Sequence, residues 1–168
     1  MSTATKKSTR TFHTHIDIPA DKRSAIVELL NQSLATTFDL MSQTKQAHWN
    51  VKGNDFYQLH LLFDAIAGEV SEFVDLIAER VTTLGGYATG TARMAAENSS
   101  LPEYPTDAVD GKDHVAALVE RFAKFAAKIR AAIDETDELG DKTTADLFTQ
   151  VSRTVDQRLW FLEAHLQG

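Results

Sequence analysis

The chain of 168 residues contains no cysteine, which excludes a disulfide scaffold, thiolate zinc sites, iron–sulfur clusters and cysteine nucleophiles. It has only three prolines and eight glycines, so long uninterrupted helices meet few breakers. No window approaches the roughly 18 consecutive apolar residues that a membrane helix needs. The first 17 residues carry no apolar core of a secretory signal, and the cytoplasm is the expected compartment. The first 16 residues also lack any acid while holding Lys6, Lys7 and Arg10, against a formal charge of −7 for the whole chain. An acidic body repels nucleic acid and favours cations, whereas a short basic arm does the opposite.

What is present is helical periodicity. With 43% hydrophobic and 24% charged residues, the composition fits one globular domain with a sizeable core. Residues 1–18, polar, Thr/Ser-rich and aperiodic, are expected to be a flexible basic arm, and residues 19–168 the bundle domain. A first helix is expected from Asp21, its cap, just after Pro19, with a stripe of Ile26, Leu30, Leu34 and Met41 running on to His48. Lys52 to Asp55 reads as a turn. A second helix runs from Phe56 to the stop signal Gly85-Gly86, with Leu59, Phe63, Ile66, Val70, Phe73, Ile77 and Val81 on one face. The connection from Gly86 to Gly111 carries Pro102 and Pro105 and room for a short helix over Thr91–Ser99. Two more helices are expected over Lys112–Leu139 and Thr143–Leu166, parted by Gly140-Asp141. Four long helices with one long central connection predict an all-α, ferritin-like four-helix bundle, the short helix lying between helices 2 and 3.

The second helix has another organised face. Taking Leu59 as zero, His60, Asp64, Asp75 and Glu79 fall at about 100°, 140°, 160° and 200°, well away from the apolar stripe. His60/Asp64 and Asp75/Glu79 are i,i+4 pairs that one cation can bridge, and the small residues Ala67, Gly68, Ser71 and Ala78 lie between them. Asp64 and Asp75 stand about 16 Å apart along the axis, too far for one ion to touch both pairs on one chain. The four positions are symmetric about a midpoint between Glu69 and Val70. An antiparallel two-fold pairing would set His60 against Glu79 and Asp64 against Asp75 of a second copy, with Gly68 facing Ser71 at the axis. His48 extends the inward stripe of the first helix near the end where Phe56–Asp64 begin. Three carboxylates and two imidazoles at one interface call for a cation to neutralise them. Without thiolate, iron, manganese or zinc suits the set, and open positions favour redox-active iron. Taken singly, each i,i+4 pair is an ordinary solvated helix face and His48 an ordinary core histidine.

These residues resemble the Dps family (DNA-binding protein from starved cells), the small ferritin-like ferroxidases. The likeness covers nearly the whole chain after the arm and is tightest in Thr44-Lys45-Gln46-Ala47-His48-Trp49-Asn50 and from His60 to Gly86. The family's pattern H-x11-H-x3-D-x10-D-x3-E reads here His48, His60, Asp64, Asp75, Glu79 without a departure, and Ala78-Glu79-Arg80 and Leu84-Gly85-Gly86 match as well. The resemblance implies a hollow homododecamer with those five residues as catalytic metal ligands, completed across each two-fold interface. Iron would be oxidised from Fe²⁺ with hydrogen peroxide, in a site able to hold two metals, and stored as Fe³⁺ oxide. Trp49 would lie beside the site. The E-x-x-H motif of larger ferritins is missing, in keeping with ligands shared between subunits.

Two further expectations follow from the resemblance. The acidic run Asp134, Glu135, Asp137, Glu138, Asp141 would approach a three-fold axis, with Asp141 and Asp146 as candidate pore residues admitting iron. Lys6, Lys7 and Arg10 would hold DNA phosphates, many weak arms acting together on one particle, with nucleoid association as the consequence. The competing readings are an architectural nucleoid protein whose metal site is vestigial or holds structural zinc, and a monomeric four-helix binding protein.

Overall fold

The computed structural model describes residues 10–167. Among them are five helices: α1 (Ala20–Asn50), α2 (Phe56–Thr83), α3 (Ala92–Asn98), α4 (Gly111–Glu138) and α5 (Lys142–Ala164). The only β-type pairing among the described residues is an isolated bridge between Lys52 and Asp110. α1 packs along α2 and α4 along α5, and the short α3 lies against α1. This is the all-α bundle expected from the periodicity. Its core is a column of fully buried side chains drawn from all four long helices, among them Leu30, Leu34, Phe63, Ile66, Phe122, Phe125 and Phe148. Burying a side chain of this size contributes about 1.5–3 kcal/mol.

Local chemistry sets the helix ends. α2 closes in a Schellman turn: Gly85 adopts φ +82°, its N–H reaches Thr82 O at 2.9 Å, and Gly86 N–H reaches Val81 O at 2.9 Å. Gly140 repeats the device after α4 with φ +86°. Asp110 and Asp113 form a reciprocal capping box at the start of α4. Thr91 caps α3, accepting a bond from Met94 N–H. Asp21, by contrast, is not a cap. Pro19 takes the N-cap position with no side-chain bond, and Asp21 sits inside the first turn, where its charge meets the positive end of the helix dipole.

Residues 12–18, expected within a flexible segment, form an irregular strap across the end of α1 and α2. Phe12 N–H donates to Gly85 O at 2.8 Å, the Arg23 guanidinium donates to the carbonyls of Ile16 and Ile18, and both isoleucines pack on the core. Strap side chains alternate: Thr14, Ile16 and Ile18 turn inward, while His13, His15 and Asp17 are exposed. Lys6 and Lys7 lie outside the described residues.

Candidate metal centre

The turn at Lys52–Asp55 folds α2 back along α1 and brings His48 beside His60. The two rings stack, with centroids 3.8 Å apart and planes inclined by 21°. Each ring is fixed by the other residue's backbone: His48 Nδ1 lies 2.7 Å from His60 O, and His60 Nδ1 lies 2.9 Å from His48 O. A carbonyl oxygen only accepts, so both Nδ1 atoms carry the proton. In the neutral ring the lone pair is then on Nε2. That is the arrangement by which a backbone carbonyl orients a metal-ligating imidazole.

Asp64 follows one turn after His60. Its Oδ1 lies 3.9 Å from His48 Nε2 and 2.7 Å from Lys45 Nζ. The hydrogen bond and charge of Lys45 hold the Asp64 carboxyl below its ordinary value, with smaller help from the two histidines. Lys45 is the residue that sequence reasoning missed. It sits one turn before His48 and is the cation that occupies the carboxylate in the single chain. Its i,i+3 spacing to His48 was the available signal.

Asp75 and Glu79 are exposed further along α2. Among the described residues, no three His or acidic side chains of one chain converge closely enough to hold an ion. The chain thus carries a histidine half, the stacked His48 and His60 with Asp64 3.9 Å from His48 Nε2, and an acidic half set apart from it. Around the histidine half stand exposed apolar side chains: Trp49 (64% exposed), Phe56, Tyr57 (70%) and Leu61. Gly68, between the two halves, is open, and a Cβ placed there would meet nothing within 4 Å. The fold of one chain therefore does not demand glycine at that point.

The remaining predicted residues have different surroundings. Asp141 is only 2% exposed, and its carboxylate is fully engaged. It caps α5 through Thr144 N–H at 3.0 Å, accepts from the Thr144 hydroxyl, and receives two bonds of 2.9 Å from Arg80. The structure thus corrects its reading as a free pore acid: Asp141 is a buried strut between α2 and α5. Asp146 is exposed on the first turns of α5, and Asp137 pairs with Lys142 at 2.7 Å. Arg10 is exposed at the start of the described chain.

The ferritin-like domain family matches residues 27–168. A relative from Agrobacterium fabrum named DNA protection during starvation protein is 47% identical over 158 residues, covering 94% of this chain and 98% of its own length. Among solved structures, DpsC from Streptomyces coelicolor superposes with a TM-score of 0.88 at 36% identity, covering 93% of this chain and 91% of that one. The Dps protein from Vibrio cholerae, described as a member of a broad superfamily of ferritin-like diiron-carboxylate proteins, gives 0.86 at 26% identity, over 95% of this chain and 98% of that one. With a bundle of this connectivity and its histidine half assembled by the α1–α2 turn, the chain belongs to the ferritin-like domain family and, within it, to the Dps mini-ferritins.

Proposed function

We propose that this protein is a ferroxidase and iron-storage cage that protects DNA from oxidative damage. The observation that carries the reading is the reciprocal His48–His60 clamp, which commits both Nδ1 atoms to carbonyls and leaves both Nε2 atoms as ligating nitrogens. The names of its relatives support the same direction: DNA protection for the Agrobacterium protein, diiron-carboxylate chemistry for the Vibrio one.

Fe²⁺ is the substrate. His48, His60 and Asp64 of one subunit, with Asp75 and Glu79 of the partner subunit, supply two imidazoles and three carboxylates. The open Gly68 and the apolar rim from Trp49 to Leu61 support a second copy lying across this face. Two Fe²⁺ ions give one electron each to hydrogen peroxide. Its O–O bond breaks, two protons are taken up, two waters form, and two Fe³⁺ remain to hydrolyse and collect as oxide. Delivering both electrons at one site avoids releasing a hydroxyl radical. Twelve copies would close the shell, Asp146 would face an iron-entry pore, and Lys6, Lys7 and Arg10 would contact DNA in the cytoplasm, on the nucleoid. Among the described residues no helix is long and apolar enough to cross a membrane.

The test is peroxide-driven Fe²⁺ oxidation by the purified protein, with particle mass from light scattering. Rapid oxidation, and a particle near twelve times 18.6 kDa, support the reading. A variant carrying His60→Ala and Asp64→Ala should oxidise iron at least about tenfold more slowly while still assembling, since loss even of outer-shell partners costs about 10–100-fold. Wild-type kinetics in that variant would overturn the site. DNA condensation without iron oxidation would favour the architectural alternative with a vestigial or zinc-filled site.

A further inference from the structure

His13 and His15 stand outside everything described above. They lie on the strap two residues apart, and both side chains are exposed. Their inward neighbours Thr14 and Ile16 turn toward the body, and the Phe12–Gly85 and Arg23–Ile16 hydrogen bonds fix the backbone on both sides of the pair. The histidines are therefore carried on backbone anchored to the body, although both are exposed. Their rings meet edge to face at 81°, with centroids 4.7 Å apart. Two imidazoles sharing one ion through nitrogens at about 2.1 Å, at bond angles of about 90–109°, place their centroids about 4.5–5.2 Å apart. The observed separation lies within that range.

We infer that His13 and His15 form a two-imidazole chelate for a divalent transition cation, with water filling the remaining positions. Imidazole without thiolate or a carboxylate cage selects zinc, copper, nickel or cobalt over magnesium or calcium. Asp17 shares the outward face in the bend that follows and adds negative potential. No third histidine or acidic side chain lies within ligating reach of the pair among the described residues. The site is thus separate from the acidic half formed by Asp75 and Glu79. It also lies at the opposite end of α2 from His60, about 35 Å along the axis. An ion bound there places positive charge at the root of the basic arm, next to Arg10.

The probe is Zn²⁺ titrated into the full-length protein and followed by calorimetry, comparing wild type with His13→Ala, His15→Ala and the double variant. Wild type should bind one more zinc per chain than the double variant. Each single substitution should weaken that zinc by about tenfold or more, because a chelate needs both rings. Strap anchoring and helix content should stay unchanged, since neither ring packs inside. Equal zinc stoichiometry in wild type and double variant would overturn the inference, as would single variants that keep wild-type affinity. The same titration in the His60→Ala, Asp64→Ala background keeps the two sites apart: the strap zinc should persist there whether or not the ferroxidase reading holds.

Discussion

Arg80 places two hydrogen bonds of 2.9 Å on the Asp141 carboxylate, tying the last turn of α2 to the cap of α5. Burial works against this carboxylate, but the bonds from Thr144 and Arg80 overcome it and hold the carboxyl below its ordinary value. Its stabilising effect is therefore complete above the unfolded carboxyl's value of about 3.9. That effect is lost as pH falls through the lower folded value. Asp141→Asn keeps an oxygen for the cap but leaves Arg80 without its counter-charge, a loss of about 3 kcal/mol near neutrality. Denaturant unfolding at pH 7 and below pH 4 checks this: the gap between wild type and variant should narrow on acidification. Parallel curves would show that the ion pair contributes nothing.

That residue also marks where sequence reasoning stops. α2 was legible from Phe56 to the Gly85-Gly86 stop, because an amphipathic stripe and a glycine in the left-handed region are local signals. The short α3 was legible too, as a helix with room over Thr91–Ser99 in the long connection. Asp141 was not. It reads as one acid in a charged run, and its task depends on Arg80, 61 residues earlier, arriving across the bundle. The strap escaped for a related reason. Thr14, Ile16 and Ile18 are too few and too mixed to signal an inward face, and only the receiving surface around Gly85 and Arg23 gives them one. The i,i+4 pairs His60/Asp64 and Asp75/Glu79 and their symmetry along α2 were readable from spacing. The crossed His48–His60 hydrogen bonds, which decide the ring tautomers, required the register of two antiparallel helices.

If Asp64 takes a cation as proposed, Lys45 competes with that cation for the carboxylate. The ammonium lies 2.7 Å from Oδ1, on a carboxylate that is itself exposed. Lys45→Met removes the competitor, so divalent cations should bind at the histidine half about two- to fivefold more tightly near pH 7, the scale of one surface ion pair. Without Lys45 the Asp64 carboxyl returns toward its ordinary value. Protons then compete at higher pH, and the advantage should shrink as the solution is acidified below about pH 5. Metal titrations of both proteins at two pH values measure this; weaker binding by the variant at pH 7 would mean that Lys45 assists the cation instead.

Gly85 joins helix α2 to the strap and leaves no room for a side chain. Its φ of +82° costs an L-residue roughly 1–2 kcal/mol, and an added Cβ would sit 2.5 Å from Phe12 O. Relief requires the strap to lift. Gly85→Ala should therefore lower stability by about 2 kcal/mol. It should also raise the hydrogen-exchange rate of the Phe12 amide, which donates to Gly85 O. An unchanged Phe12 amide would show that the strap is held by Ile16, Ile18 and the Arg23 hydrogen bonds without the Gly85 contact.

The strap fixes how the basic arm has to be removed to learn what it does. Cutting through residue 18 takes away Ile16 and Ile18, which pack on the core, and so damages the fold along with the arm. Removing residues 1–9 eliminates Lys6 and Lys7 and keeps the Phe12 anchor. If the arms hold DNA phosphates, the shortened protein should lose retardation of plasmid DNA at low salt and slightly acid pH, with unchanged iron oxidation. The full-length protein should lose binding steeply as salt rises, because each neutralised phosphate releases condensed counterions. The acidic body cannot substitute for the arms, since the whole chain carries a formal charge of −7. Retained DNA binding after removal of residues 1–9 would place the contact on Arg10 or the folded shell and leave Lys6 and Lys7 without that role.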